Sequence, residues 1–224
     1  MHRRKGRESS GFSTIELSMS IGILAIVMAA FFGAYNGFLR DVAFAERLGD
    51  IERESRPAFN SLVIELRQAT PPNSQANGQA IEFMTGERIV FYADRRSVNG
   101  PERFEYRRTN CVDGLCDLVM SIRFAEAGSA YPNFTYDLTG AADIEFTVLR
   151  RVAETARLFQ GIQLAGATEV VVDDCDRLDS LALGPVPCRF DRISLTLEVA
   201  PRGVGVLPSN YVVTEEVQLR NSSF

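Results

Sequence analysis

The longest run of apolar positions lies close to the start of the chain. No charged residue occurs from position 17 to position 39, a run of 23 residues. About 20 apolar residues in helical conformation span the hydrocarbon core of a bilayer. This run therefore predicts a transmembrane helix, which we place within residues 12–39.

A second pattern begins at residue 40, after which apolar positions recur at intervals of three and four with charged residues between them. Such spacing predicts an amphipathic helix over residues 40–72. Pro57 lies inside it and lacks a backbone donor, so we expect a bend or a local break over residues 53–57. The sequence Thr-Pro-Pro-Asn at 70–73 ends the helix. The predicted apolar stripe comprises Val42, Ala45, Leu48, Ile51, Ser55, Phe59, Leu62, Leu66 and Ala69.

Beyond residue 72 apolar positions alternate with polar ones and turn residues become frequent, which is typical of β-strands separated by loops. The two patterns together predict an α+β fold, in which one long N-terminal helix packs on an antiparallel sheet. Residues 73–224 form the β-rich domain of this fold. The predicted strands are 80–84, 88–93, 102–109, 118–124, 144–149, 169–172, 193–199 and 211–219.

Charge on the two flanks of the apolar run predicts its orientation. Four cations and one anion lie within residues 1–11, whereas residues 40–56 contain four cations and five anions. Positive charge favours the cytoplasmic side of a membrane. We therefore expect a single-pass protein with a cytoplasmic N-terminus and an exported domain.

Composition argues against catalysis. His2 and Lys5 are the only histidine and lysine, and both lie in residues 1–11. Without that segment the commonest general base and the usual amine nucleophile are missing. The formal charge also changes from −5 to −8, since four cations and one anion are lost, and this disfavours a nucleic-acid groove. Paired arginines at 95–96, 107–108 and 150–151 are predicted to be solvated strand ends.

The four cysteines form two local pairs, Cys111 with Cys116 and Cys175 with Cys188. In an exported domain such pairs usually form disulfides, because the compartment is oxidising. Zinc is the alternative, although neither spacing is C-x₂-C and no histidine completes a site. Four cysteines allow three connectivities, of which we prefer the two local ones.

The most specific signal lies at the border between residues 1–11 and the apolar run. Residues 11–17 read GFSTIEL, which resembles the prepilin cleavage and methylation signal of type IV pilins and type II secretion pseudopilins. The resemblance implies that residues 1–11 are a leader, that a prepilin peptidase cuts after Gly11, and that the new amine of Phe12 is methylated. Glu16 then becomes the fifth mature residue, as in that family.

Physical chemistry explains why these residue types are needed. Gly11 lets the backbone approach a protease closely because it has no side chain. Glu16 places a costly carboxylate at the start of a membrane helix. Cleavage creates the positive amine of Phe12, which the Glu16 of a neighbouring subunit can bind in the low dielectric of a filament. We therefore interpret Glu16 as a device that sets assembly register.

Two simpler interpretations explain less of the pattern. A plain single-pass anchor needs neither Glu16 nor a glycine before Phe12. A secretory signal peptide has a shorter apolar core and a small-residue cleavage site. The residues Met-Ala-Ala at 28–30 could serve as that site, but the amphipathic continuation would stay unexplained.

The resemblance extends along the chain at the level of pattern. Residues 58–70 and 216–221 look like the helix end and the C-terminal strand of J-type pseudopilins and W-type minor pilins. Gly33 departs from the proline that major pilins typically carry at this position, which disfavours a major pilin. The resemblance implies a non-enzymatic minor pilin that joins a priming complex at the pilus tip and supports adhesion or motility.

The same resemblance implies the partners and the location. The partners are the prepilin peptidase, other minor pilins, the major pilin, the inner-membrane assembly platform and, before assembly, the membrane itself. The domain is expected in the periplasm, and the assembled subunit at the tip or base of a fimbrium on the cell surface. The alternatives are a J-type pseudopilin of a type II secretion system and, in another class, a pilin that binds DNA or another ligand.

An acidic cluster is the one candidate for a cofactor, and we expect none. It comprises Asp173, Asp174, Asp176 and Asp179, and some pseudopilins bind calcium near this part of the chain. The cluster lacks the spacing and the central glycine of an EF-hand loop. A solvated acidic loop is therefore the preferred interpretation, with calcium as the alternative.

Overall fold

One long helix precedes a ten-stranded sheet in the computed structural model. The structure describes residues 13–72, 80–95, 100–130, 134–165, 167–176, 188, 190–200 and 211–219. Helix α1 covers Thr14–Arg67. The strands are β1 (Ile81–Met84), β2 (Arg88–Ala93), β3 (Glu102–Val112), β4 (Leu115–Arg123), β5 (Ile144–Ala153), β6 (Phe159–Ala165), β7 (Thr168–Val172), β8 (Cys175–Asp176), β9 (Arg192–Val199) and β10 (Tyr211–Gln218).

The chain divides into two compact units, Met1–Arg47 and Leu48–Phe224. In the first unit, every described side chain from residue 13 to residue 43 is exposed, the apolar ones included. In the second unit, the last five turns of α1 bury one face in the core of the sheet domain. The buried residues of the helix are Ile51, Ser55, Phe59, Leu62, Val63, Glu65 and Leu66.

Of the two predicted alternatives over residues 53–57, a bend or a local break, the local break is wrong, because α1 continues through Pro57. Pro57 is exposed, and Phe59 and Leu62 pack into the core on the opposite side of the same turns. A proline costs one backbone hydrogen bond and some steric strain. We attribute the continuity of the helix to the apolar contacts made by these neighbouring residues, which outweigh that cost.

The helix ends slightly earlier than the stripe predicts. Its last residue is Arg67, and Ala69 instead forms an antiparallel bridge with Ala93. The Thr70 N–H donates to the carbonyl oxygen of Tyr92 at 2.8 Å. Ala69 is therefore buried as predicted, but it belongs to a short extended segment along β2 rather than to the helix.

The sheet is antiparallel throughout, and each of the eight predicted strands corresponds to one in the structure. The strand order is β7-β6-β9-β5-β4-β3-β2-β1-β8, with β10 on β9. Two strands were missed. In β6, a glycine interrupts the alternation of apolar and polar side chains by which a strand is recognised. Gly161 lies beneath the Phe190 ring, where a Cβ atom would clash. Strand β8 has two residues, too few to give a period, and pairs with β1.

Alternation within the strands separates the apolar core from a polar face. In β2 and β3, the rings of Phe91, Phe104 and Tyr106 are fully buried and face the core. The Phe91 ring centroid lies 5.5 Å from that of Phe104 and 6.2 Å from that of Tyr106, with the rings nearly parallel. Such stacked aromatic pairs add to the free energy of area burial. The residues that alternate with them in β3, such as Arg103 and Glu105, point to the opposite face.

Candidate functional site

The candidate assembly site lies at the first turn of α1. Gly11 and Phe12, the predicted cleavage and methylation residues, lie outside the described residues. Ser13 immediately precedes the helix, which begins at Thr14. The Ser13 Oγ accepts a hydrogen bond from the Ile15 N–H at 3.2 Å, as an N-cap residue does.

Glu16 lies in this first turn and is exposed. Its Oε2 accepts a hydrogen bond from the Ser13 N–H at 3.1 Å. Carboxylates are favoured at this end of a helix, because the free N–H groups carry partial positive charge. Oε1 has no hydrogen-bond or ion-pair partner among the residues that the structure describes. One oxygen of Glu16 is thus used within the chain, while the other is able to accept a donor from outside.

The segment that follows is apolar and exposed. Helix α1 is the one described helix that is long and apolar enough to cross a membrane. Two of its polar side chains bond to the preceding turn, since Ser18 Oγ donates to the Ile15 carbonyl at 2.9 Å and Ser20 Oγ donates to the Glu16 carbonyl at 2.8 Å. A segment whose large exposed side chains are mostly apolar suits lipid or the apolar core of an assembly.

Both predicted disulfides are present. Cys111 pairs with Cys116 across the turn between β3 and β4, and Cys175 pairs with Cys188 beside β1. The first turn has positive φ at Asp113 (53°) and Gly114 (76°), which is the geometry of a two-residue hairpin loop. The second disulfide is buried, and the Cys188 Sγ lies 3.6 Å from the Glu82 carbonyl oxygen.

Asp173, the first residue of the predicted acidic cluster, is paired locally. Asp173 forms an ion pair with Arg157 and accepts a hydrogen bond from Gln160 at 3.1 Å. These contacts, first the Arg157 hydrogen bond and then the Gln160 hydrogen bond, lower the pKa of Asp173. Asp179 lies outside the described residues. Among the part of the chain that is described, no group of three acidic, cysteine or histidine side chains is arranged to hold a metal ion.

The prediction that the paired arginines are solvated is wrong for Arg108. Its side chain is 4% exposed, and its Nη1 donates to the carbonyl oxygens of Ala153 and Ala156 at 2.8 Å each and to that of Glu154. Its Nη2 lies 3.0 Å from the Glu87 carboxylate. Arg108 therefore holds the turn between β5 and β6, a role that the sequence does not signal.

Three carboxylates are buried among the described residues, Glu65, Glu82 and Glu102, and the sequence analysis missed all three. The first is Glu65 on α1. Its side chain is 1% exposed and accepts hydrogen bonds from the Tyr106 hydroxyl and, at 3.2 Å, from Ser61. Arg95 Nη1 lies 3.1 Å from Oε1. Burial raises the pKa of Glu65, although these three donors oppose the change. Burial also raises the pKa of Tyr106, and the charge of Glu65 adds to that effect.

The second buried carboxylate is Glu82, on the polar face of the sheet. Arg103 binds it through two hydrogen bonds of 2.7 Å and 2.9 Å, and the Tyr92 hydroxyl donates to the same carboxylate. Burial by itself would lower the pKa of Arg103, but the hydrogen bonds and the charge of Glu82 raise it. The Tyr136 ring covers this face, with its centroid 5.1 Å from that of Tyr92. Both buried clusters are internally paired, which suits a structural role.

A comparison with protein-family models finds no match, and comparisons with curated proteins and with solved structures find no significant similarity. The assignment of a function therefore depends on the residues of the chain itself. The site with the most specific chemistry is the first turn of α1, where Ser13 and Glu16 precede an exposed apolar segment.

Proposed function

We propose that this chain is a minor pilin of the W/J type, a non-enzymatic subunit that helps to start assembly of a type IV pilus. The observation that carries the proposal is Glu16, a carboxylate at the head of an apolar helix and five residues after Gly11. A carboxylate at that place is costly unless a partner is supplied. A neighbouring subunit with a free N-terminal amine supplies one.

Three further features support the proposal. The apolar run without charged residues gives the precursor a membrane anchor. The same helix continues into the core of an antiparallel domain. Two disulfides suit a domain in an oxidising compartment such as the periplasm.

The proposed sequence of events follows from these features. The precursor inserts with its basic leader in the cytoplasm, and the prepilin peptidase cuts after Gly11 and methylates Phe12. The subunit then leaves the membrane for a complex with other minor pilins. In this complex Glu16 pairs with the amine of a neighbour, and an incorrect register leaves a buried charge unpaired, at a cost of about 3–5 kcal/mol.

Deletion of the gene tests the proposal when three outputs are measured together: surface filaments, motility and exoprotein secretion. Loss of filaments and motility with normal secretion is the expected result. Loss of secretion with normal filaments would instead identify a J-type pseudopilin of a secretion system. Intact-mass measurement of the membrane fraction should give a methylated chain that begins at Phe12. A chain that begins at Met1 would contradict both assignments.

A further inference from the structure

Strand β7 lies at one end of the sheet and leaves one of its backbone edges unpaired. It pairs with β6 on one side, and no strand of the described residues pairs with its other side. Every side chain from residue 167 to residue 171 is exposed. Val170 and Val171, which point to opposite faces of the strand, are 42% and 54% exposed. The strand is thus apolar, exposed and open on one side.

Two hydrogen bonds of the neighbouring strand show which backbone groups face the open edge. The Leu164 N–H donates to the Asp191 carboxylate at 2.6 Å, and the Ile162 carbonyl oxygen accepts from the Asp191 N–H at 2.9 Å. Both β6 residues therefore direct their backbone groups away from β7. In an antiparallel pair, the residues opposite them direct theirs the other way. These residues are Glu169 and Val171, whose N–H and C=O groups point towards the open edge.

Two other strands that end the sheet have features that discourage pairing and that β7 lacks. Strand β8 has two residues. Strand β10 carries Glu215 and Glu216 next to each other, and Arg67 of α1 binds Glu215 at 2.8 Å. Short strands and charged side chains are usual means by which proteins prevent pairing at an edge. The one charged residue of β7, Glu169, instead forms an ion pair with Arg192 of β9.

Charge beside this edge indicates what kind of strand fits it. Arg192 binds Glu216 at 2.8 Å as well as Glu169. Two carboxylates thus share one guanidinium, which leaves one negative charge in excess. Opposite charges on directly facing residues of two strands stabilise their pairing, as do facing apolar side chains. A complementary strand therefore has a basic residue opposite Glu169 and apolar residues opposite the two valines.

We propose that the open edge of β7 accepts an extended apolar segment with a basic residue, donated by a neighbouring subunit, as an added strand of the sheet. The inference rests on the proposed function, since the donor is another pilin subunit of the same complex. Backbone hydrogen bonds to Glu169 and Val171 provide the affinity, and the charge of Glu169 provides the selectivity.

The small size of the edge determines where the donor comes from. Strand β7 has five residues, and a contact of this length buries much less than the roughly 1,200 Å² that stable complexes of free proteins need. The donor must therefore be held beside this chain by a second contact. Subunits anchored in the same membrane meet this condition, because anchoring raises their effective concentration.

The first experiment uses two synthetic peptides, VTVKVTV and the same peptide with glutamate in place of lysine. Each is titrated against the full-length protein in detergent, and hydrogen–deuterium exchange of the Glu169 and Val171 amides is measured. These amides should exchange rapidly in the free protein and become protected by peptide. The lysine peptide should bind about threefold to fivefold more tightly than the glutamate peptide, and Glu169→Gln should abolish this preference.

A matched pair of substitutions at position 171 tests the backbone contact. Val171→Pro removes an N–H that points towards the open edge and leaves the hydrogen bonds to β6 in place, so the domain should fold normally. Val171→Thr retains the N–H and is the control. Peptide binding should weaken about fivefold for Val171→Pro and stay within about twofold of the wild type for Val171→Thr. Thermal unfolding of both variants verifies the fold.

The second experiment identifies the donor in intact membranes. A photo-crosslinking amino acid is placed at position 171 or, as the control, at Val212, an exposed valine of β10. Position 171 should give a product with another membrane-anchored pilin subunit, and position 212 should not. Amides that are protected without peptide, or a cross-link within the chain or to a second copy of it, would overturn the proposal. Binding of the lysine peptide by a precursor that is never cut after Gly11 would instead contradict the proposed function alone.

Discussion

The two carboxylate oxygens of Glu16 differ in their contacts, and this separates its structural role from the role in assembly that we propose. One oxygen accepts from the Ser13 N–H, and a glutamine amide oxygen can do the same. The proposed pairing with a neighbour's amine instead depends on the negative charge. A substitution that keeps the hydrogen bond and removes the charge therefore tests the assembly role alone.

We predict that Glu16→Gln leaves insertion, leader cleavage and protein level normal but impairs incorporation into the minor-pilin complex. A buried pair that loses one partner costs about 3–5 kcal/mol, which corresponds to a change of roughly a hundredfold to several thousandfold in an assembly equilibrium. Cross-linking to partner pilins and counts of surface filaments measure the effect. Glu46→Gln, which replaces an exposed glutamate of the same helix, is the control. Wild-type cross-linking in Glu16→Gln would show that the charge is not used for docking.

Glu65 is the carboxylate whose pH dependence is most informative. Burial raises its pKa above the ordinary value of 4.5, so the folded domain binds this proton more tightly than the unfolded chain does. This tighter proton binding stabilises the folded domain fully at pH values below the pKa that Glu65 has in the unfolded chain. The stabilisation is lost as the pH rises through the pKa that Glu65 has in the folded domain. Glu65→Gln should remove this loss, since the amide is neutral at every pH and can still accept from Tyr106.

The measurement is urea unfolding of the soluble domain at several values between about pH 4 and pH 8. The free energy of unfolding of Glu65→Gln, relative to the wild type, should rise with pH. Glu126→Gln, at an exposed carboxylate, is the control. A difference that does not change with pH for Glu65→Gln would mean that the donors around Glu65 fully offset its burial.

At the scale of single elements, the two disulfides constrain loops of different length. The sequence separation is 5 residues for Cys111–Cys116 and 13 for Cys175–Cys188. Chain entropy gives about 2 kcal/mol for the shorter loop and about 3 kcal/mol for the longer one. We predict that alanine substitution of both members of the pair destabilises the domain more at 175 and 188 than at 111 and 116. Thermal unfolding of the two double variants, each compared with the wild type under reducing and oxidising conditions, decides this.

A helix or strand can be predicted from the sequence when the residues that determine it are neighbours along the chain. The apolar segment, the amphipathic half of α1 and the alternating strands β2, β3 and β9 are encoded by neighbouring residues, and they are predicted well. Strand β6 depends on Gly161 accommodating Phe190, a contact across 29 positions. Arg108 likewise binds carbonyl groups about 45 positions away. Such long-range contacts leave no period in the sequence, so they become visible only in the folded chain.

The hydrogen bonds at the start of α1 show the opposite case. Ser13 and Glu16 are three positions apart, and the pattern S-x-x-E before an apolar run is recognisable in sequence. The interpretation of Glu16 as an assembly residue left this local bond unnoticed. In the structure the Glu16 carboxylate accepts from the Ser13 N–H, so the residue that we propose to act in assembly also bonds within its own chain.

At the scale of the whole molecule, the two compact units differ in what their surfaces require. The described residues of Met1–Arg47 expose apolar side chains along the helix, whereas Leu48–Phe224 buries its own core. The second unit therefore has what an independent domain needs: a continuous apolar core, internally paired buried charges and two disulfides.

We predict that removal of residues 1–40 yields a soluble, monomeric domain with a cooperative unfolding transition. Every buried residue of α1 lies at or beyond position 51, so the truncation removes none of the core. The large exposed apolar side chains from Ile15 to Leu39 are removed, and with them the surface that needs lipid or a neighbouring subunit.

Removal of residues 1–11 alone is the control, and that shorter truncation should stay in the membrane fraction. Ultracentrifugation and thermal unfolding of the two truncated chains are the measurements. Aggregation of the chain that begins at residue 41 would mean that the first unit also stabilises the domain, and that anchor and domain are not separable.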